Sequence, residues 1–301
     1  MSLTRSGEGR GQAPLLLSHS AMEHLSLDLP AVHGHLVRFL RESVTGAGFR
    51  RAVLGLSGGI DSALVAALAV EALGAEQVLG LILPWRTSQP ASVDDARQLA
   101  EQLGMPVRRI DISPMVDAFS TALAGAGAPI DPPDARRLGN VMARCRMVCL
   151  FDAAMAWQAL PLGTSNKSEL LLGYGTWHGD LASAVNPIGD LYKQQVFALA
   201  RHLGLPAAII DKAPSADLEE GQTDEGDLGW SYELIDRILV RAVDQRRDRA
   251  SLLAEGFAGK DVDGILDRVA RNHFKRMPPV IAKVGLRAIG ADWLYQRDSL
   301  R

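Results

Sequence analysis

The sequence predicts an α/β protein built on a doubly wound parallel sheet with a helical C-terminal portion. Three observations carry that expectation. A short apolar run, Val53-Leu54-Gly55-Leu56, enters the loop Ser57-Gly58-Gly59-Ile60-Asp61-Ser62, and the apolar spacing of a packed helix follows at once. Strand-like and helix-like segments then alternate as far as residue 112. Such alternation favours parallel strands joined by helical crossovers, with ligands bound at the carboxyl ends of the strands. From Tyr192 to Val284 the pattern reads as mostly helical, with an acidic, glycine-containing loop between Pro214 and Gly229.

The elements are expected in the following order. A helix over Ala31 to Val44 precedes a strand at 52–57, a helix at 62–73 and a strand from Gln77 to Leu83. A polar loop at 84–90 leads to a helix at 91–103 and a strand from Val107 to Ile112. A long helix from Asp134 to Leu160 runs into a short strand ending at Gly163. Residues 1–30 are expected to be a flexible extension, 31–290 a single domain and 291–301 a tail.

Composition narrows the classes. With 301 residues, 47% hydrophobic and 22% charged, the chain has the balance of a globular protein with one substantial core. A formal charge of −3 gives no footprint for nonspecific nucleic-acid or membrane binding. Residues 1–20 lack a signal-peptide core, and no apolar run approaches the roughly 18 residues needed to span a bilayer. The two cysteines, Cys145 and Cys149, read as reduced, buried thiols one helical turn apart in a cytoplasmic protein. The histidines show no metal-ligand spacing; His33 and His35 simply flank Gly34 on an early helix.

The loop after the first strand carries the chemistry. Gly58 and Gly59 let the backbone turn sharply and approach a ligand, so that successive N–H groups and a helix N-terminus face an anion together. The Ser57 and Ser62 hydroxyls can add hydrogen bonds to phosphate oxygens. Asp61 would repel a bare nucleotide, so its presence points to Mg²⁺ shared with the phosphates. This is not a Walker A loop. Around Gly259-Lys260, Ala254 stands where its first glycine belongs and Asp261 where its Ser or Thr belongs.

Residues 57–62 resemble the signature loop of the N-type ATP pyrophosphatases, which cleave ATP between the α and β phosphates. Within that group, the blocks GTSNKSELLLGYG (163–175), NPIGDLYKQQVFALARHLG (186–204) and DKAPSADLEEGQTDEGDLG (211–229) resemble NAD synthetase. The Asn140 to Met147 and Phe274 to Pro279 segments extend that resemblance over roughly residues 30–280. It implies an adenine nucleotide alpha hydrolase-like fold and an ammonia-dependent ligase that makes NAD, AMP and pyrophosphate from deamido-NAD and ATP. It also implies a homodimer. Glutamine-dependent relatives carry an additional nitrilase-like domain, for which the roughly thirty residues before the first helix leave no room.

By the same resemblance, ATP contacts fall on Gly55, Ser57, Gly58, Gly59, Asp61, Ser62, Thr164, Lys193 and Ser215. Asp61 and Glu169 would hold Mg²⁺, Asp61 and Lys193 would be catalytic, and Arg144, Trp177, Phe274 and Lys275 would bind deamido-NAD. Thr164 and Glu169 could equally be a helix cap and an early-turn acid. Lys193, at a helix start, is poorly placed against the helix dipole unless an anion faces it. Arg144 could be a surface arginine, and Phe274 with Lys275 a core ring beside a solvated lysine. Trp177 and Ala184 replace a lysine and an aspartate of many relatives, so contacts there must differ. The acidic 217–227 stretch corresponds in the family to a lid that shields the intermediate from water. Two rivals share the loop: another ATP pyrophosphatase of the GMP-synthetase or tRNA-thiolating kind, and a non-catalytic ATP sensor.

Overall fold

The computed structural model describes residues 25–125, 134–214 and 223–289. The Asp28 side chain accepts from the Ala31 amide at 3.0 Å, and Pro30 occupies the first turn of α1 (Leu29–Gly46). The chain then enters β1 (Arg51–Gly55), α2 (Ile60–Leu73), β2 (Val78–Ile82) and α3 (Pro90–Leu103). β3 (Val107–Arg109), α4 (Ser113–Gly125), α5 (Ala135–Trp157) and β4 (Ala159–Pro161) follow. The remainder is helical: α6 (Lys167–Leu172), α7 (Lys193–His202), α8 (Ala207–Ile210), α9 (Asp224–Leu228), α10 (Tyr232–Leu239), α11 (Arg249–Ala254) and α12 (Gly259–Arg271).

All four strands are parallel, in the order β3-β2-β1-β4. Successive residues of β1 face opposite sides. Ala52 and Leu54 pack with α1, α2, α3 and α7 through Leu40, Leu64, Leu99 and Val196, whereas Val53 packs with Met142 and Leu150 of α5. Both faces are therefore covered, as a doubly wound sheet requires. A third cluster, with Tyr192, Tyr232, Ile235, Val262 and Ile265, forms the core of the C-terminal helices.

The order of the strands decides where a ligand can sit. β1 lies between β2 and β4, so the chain leaves its carboxyl end toward one side and returns on the other. A crevice opens at such a switch point. The loops carrying residues 56–59 and 162–166 border it.

Several boundaries differ from expectation. β3 ends at Arg109 rather than Ile112, and its continuation makes single backbone bonds to Ile82 and Pro84. The long helix stops at Trp157 because Gln158 takes a left-handed conformation, φ 54°, and β4 follows. Helix also ends earlier than Val284: residues 277–289 contain none. The two cysteines are half-buried and free on α5. Among the described residues no helix is long and apolar enough to cross a membrane.

Candidate active site

The glycine loop is held by its own serines. Ser62 is buried; its hydroxyl donates to the Gly59 carbonyl at 3.0 Å, accepts from the Ser57 amide at 3.2 Å and lies 3.1 Å from Ser57 Oγ. Ser57 Oγ accepts from the Gly59 amide at 3.2 Å. Ser62 thus shapes the loop from within. Gly59 is the N-cap of α2 and offers no side chain to the free amides there, which leaves those donors for an anion. Gly58 has φ +77°, and a Cβ on it would fall 2.2 Å from the Ser92 carbonyl oxygen of α3. Ser92 is in turn tied to Lys212, whose Nζ donates to Ser92 Oγ at 2.8 Å and to Asp95 at 2.9 Å.

Asp61 of α2 meets residues that follow β4. Lys193 Nζ donates to Asp61 Oδ2 at 2.5 Å and to Glu169 Oε1 at 3.4 Å. Asn166 Nδ2 reaches Asp61 Oδ1 at 3.0 Å and Glu169 Oε1 at 2.7 Å. Lys193 is 1% exposed and Asn166 fully buried, so this cluster is a core feature with one open side. The dipole argument for Lys193 is answered here by two carboxylates. Burial, with Asp61 as a second cause, pushes the Glu169 carboxyl up to about 8 despite the nearby Lys193. The protein's own lysine does not balance two acids in this space.

Glu169 is an early-turn acid of α6 that also faces the nucleotide loop. Asn166 caps α6 and accepts from the Glu169 amide at 3.0 Å, while the Glu169 carboxylate accepts from the Asn166 amide at 3.3 Å. This capping box aims the acid at Asp61. The sequence reading passed over Asn166, although Asn166-Lys167-Ser168-Glu169 carries the box in its spacing. Thr164, half-buried, lies in the same turn. Gly55 ends β1 with open space where a Cβ would be. Ser215, Asp217, Glu219 and Glu220 lie outside the described residues.

Asp236 was also missed, because nothing local marks it. It is fully buried on α10 and accepts from Ser168 Oγ at 2.5 Å and the Gln194 amide at 2.8 Å, which pins the start of α7 beside α6. Burial pushes its carboxyl up to about 6, against those two hydrogen bonds. The unfolded chain therefore ionises first as pH rises, and the folded state loses about 3 kcal/mol between roughly pH 3 and 7. Urea unfolding of wild type and Asp236→Asn at both ends of that window is expected to show the gap between them changing by that amount. Parallel pH dependence of the two proteins would contradict it.

The residues expected at the dinucleotide do come together. Trp177 stacks on His178 with centroids 4.4 Å apart and meets Phe274 edge-on at 5.5 Å. Arg144 Nη2 donates to the Trp177 carbonyl at 3.3 Å. Phe274 is 51% exposed rather than a core ring. Lys275 is not solvated either, since its Nζ donates to the Gly173 and Gly175 carbonyls at 2.8 Å each. Its ammonium thereby shapes the loop after α6.

Comparison with known proteins follows the same lines. The family model for NAD synthase matches residues 32–279. A protein of Chlorobaculum tepidum named NH(3)-dependent NAD(+) synthetase is 51% identical over 278 residues, covering 92% of this chain and 97% of its own. Among solved structures, an NMN synthetase from Francisella tularensis aligns with TM-score 0.75 at 33% identity, over 85% of this chain and 99% of that one. An NH3-dependent NAD synthetase from Campylobacter jejuni aligns with TM-score 0.72 at 36% identity, over 86% and 100%.

Proposed function

The chain belongs to the NAD synthase family, and from that premise we propose that the crevice between β1 and β4 is where it activates its substrate. The reaction is the ATP-dependent amidation of deamido-NAD by ammonia to give NAD, AMP and pyrophosphate. The nicotinate carboxylate is a poor electrophile. Its oxygen attacks the α-phosphorus of ATP, the bond to pyrophosphate breaks, and ammonia then displaces AMP from the acyl adenylate.

One observation carries the assignment of residues: Asp61, Glu169, Asn166 and Lys193 converge beside the free amides of the 57–62 loop. The uncapped amides at the start of α2, just after Gly59, receive the departing pyrophosphate, with Ser57 and Thr164 at its edge. Lys193 adds positive charge where negative charge develops. Its 1% exposure leaves that charge poorly screened.

The donor set suits Mg²⁺. Among the described residues there is no cluster of three or more His, Cys, Asp or Glu fit to hold a metal alone. Two carboxylates completed by phosphate oxygens are the usual arrangement for this ion. Asp61 and Glu169 would hold it, and it would neutralise charge on the triphosphate. Arg144, Trp177, Phe274 and Lys275 frame the deamido-NAD side. Ser215 is proposed as a further ATP contact on the strength of the family pattern.

A homodimer is supported by α5, which leaves Val148, Phe151 and Met155 exposed at 51%, 40% and 82% on one stripe. Phe119 of α4 is exposed as well. Sedimentation of wild type and a Val148→Glu/Met155→Glu double variant is expected to give a dimer and a monomer; a wild-type monomer would refute the dimer.

The direct test incubates purified protein with ATP, Mg²⁺ and deamido-NAD, with ammonium or glutamine as nitrogen donor. NAD and pyrophosphate should form together with ammonium, should require both substrates, and should stop when the metal is chelated. Nicotinic acid mononucleotide in place of deamido-NAD addresses the activity named for the Francisella tularensis neighbour. Failure to make NAD with ammonium would overturn the reading, and ATP binding without turnover would favour a sensor.

A further inference from the structure

Asp224 joins the nucleotide cluster to the loop beside Trp177 through two phenols, Tyr232 buried and Tyr174 half-buried. It is 5% exposed and opens α9. Tyr174 Oη donates toward its Oδ1 at 3.0 Å, and Tyr232 Oη donates to its Oδ2 at 3.2 Å. Its backbone amide donates to the Pro214 carbonyl at 2.9 Å. Each phenol leads to a different site. The Tyr232 ring lies under Lys193, with Nζ 5.1 Å from its centroid. Tyr174 sits in the loop whose Gly173 and Gly175 carbonyls hold Lys275, next in sequence to Phe274.

The Tyr174 hydroxyl also lies 3.0 Å from Asp227 Oδ2. A phenol has one proton to donate. It serves Asp224 or Asp227, not both, which gives the link two discrete arrangements. They differ in whether Asp224, flanked on its other side by Tyr232 and Lys193, receives that hydrogen bond. A two-state element biased from both ends is what coupling between sites requires.

We propose that Asp224 is a positioning residue that couples the two substrate sites, so that ATP and deamido-NAD each tighten the binding of the other. The inference rests on the assignment of those sites above. Asp224 touches neither substrate; it acts by holding Tyr232 against Lys193 and Tyr174 toward the Lys275 loop. A residue that served packing alone would lower stability and leave the coupling factor unchanged.

The test measures the dissociation constant of an ATP analogue with a methylene bridge between the α and β phosphates. It is read with and without saturating deamido-NAD, in the presence of Mg²⁺, by calorimetry on the full chain. Wild type is expected to bind the analogue at least about fivefold more tightly when deamido-NAD is present. In Asp224→Asn the factor should fall to near one, while each ligand alone binds within about threefold of its wild-type affinity. Tyr174→Phe removes one arm without disturbing the carboxylate, and is expected to lose the coupling as well. If Asp224→Asn does not fold, Tyr174→Phe decides the matter. A wild-type factor of one, or an undiminished factor in a folded variant, would overturn the proposal. NAD formation by wild type, run alongside, separates that outcome from failure of the functional assignment.

Discussion

Asp61→Asn is expected to lower kcat/KM for NAD formation by at least roughly 10³-fold with the fold intact, a loss of about 4 kcal/mol of transition-state stabilisation. The substitution keeps shape and removes one charge. Asn166 and Lys193 donate to different oxygens of Asp61, so the single amide oxygen of asparagine keeps one of those two bonds; Lys193 retains Glu169 3.4 Å away, which limits how far the cluster opens. Two things are lost. The proposed Mg²⁺ would lose one of its two protein carboxylates, and Lys193 loses the negative charge that faces its Nζ at 2.5 Å. With Asp61 neutral, one cause of the raised Glu169 pKa also disappears, so that acid should titrate below about 8. Steady-state kinetics at several Mg²⁺ concentrations and a thermal melt suffice as the check. A variant that keeps a tenth of wild-type activity would remove Asp61 from the mechanism.

Gly58→Ala is the second large effect, and it acts through backbone rather than charge. Alanine at φ +77° is strained, and its Cβ would stand 2.2 Å from the carbonyl oxygen of Ser92. That oxygen belongs to the backbone of α3, whose first turn is fastened by Lys212 to Ser92 and Asp95. Neither side can yield cheaply. The expected cost is about 3 kcal/mol of stability, with ATP binding weakened by roughly 10²-fold or more because the amides no longer point into the crevice. Gly55→Ala is the control, because a Cβ there meets nothing within 4 Å and the protein should fold normally. If Gly55→Ala folds yet loses ATP affinity, the nucleotide itself must pass over that position. Should Gly58→Ala melt and bind ATP like wild type, the loop is not as rigidly seated as its contacts imply.

The features legible in the chain were those written within a few residues of one another. A glycine pair between an apolar strand and an apolar helix states its own conformation, because φ > 0 and a close approach exclude most other residues. The alternation of strand-like and helix-like segments declared the parallel sheet and the end at which ligands bind. Separated motifs likewise named the family and most candidate site residues. Asn166 was equally legible in its capping box and was passed over, since a cap looks structural until its other contacts are seen.

What the tertiary structure alone decided are relations across long stretches of chain. Lys193 is 132 residues from the carboxylate it holds, and Asn166 is 105 residues from that same acid. No local pattern encodes such pairs. The raised Glu169 and Asp236 pKa values arise from burial by elements far apart in sequence. The same holds for Lys275, which sequence alone left between a solvated and a substrate-facing role and which packing commits to two loop carbonyls. Residue identity determines which chemistry a side chain can perform. Desolvation and the choice of partner exist only once the chain has folded around it, because both are set by what excludes water from that point in space.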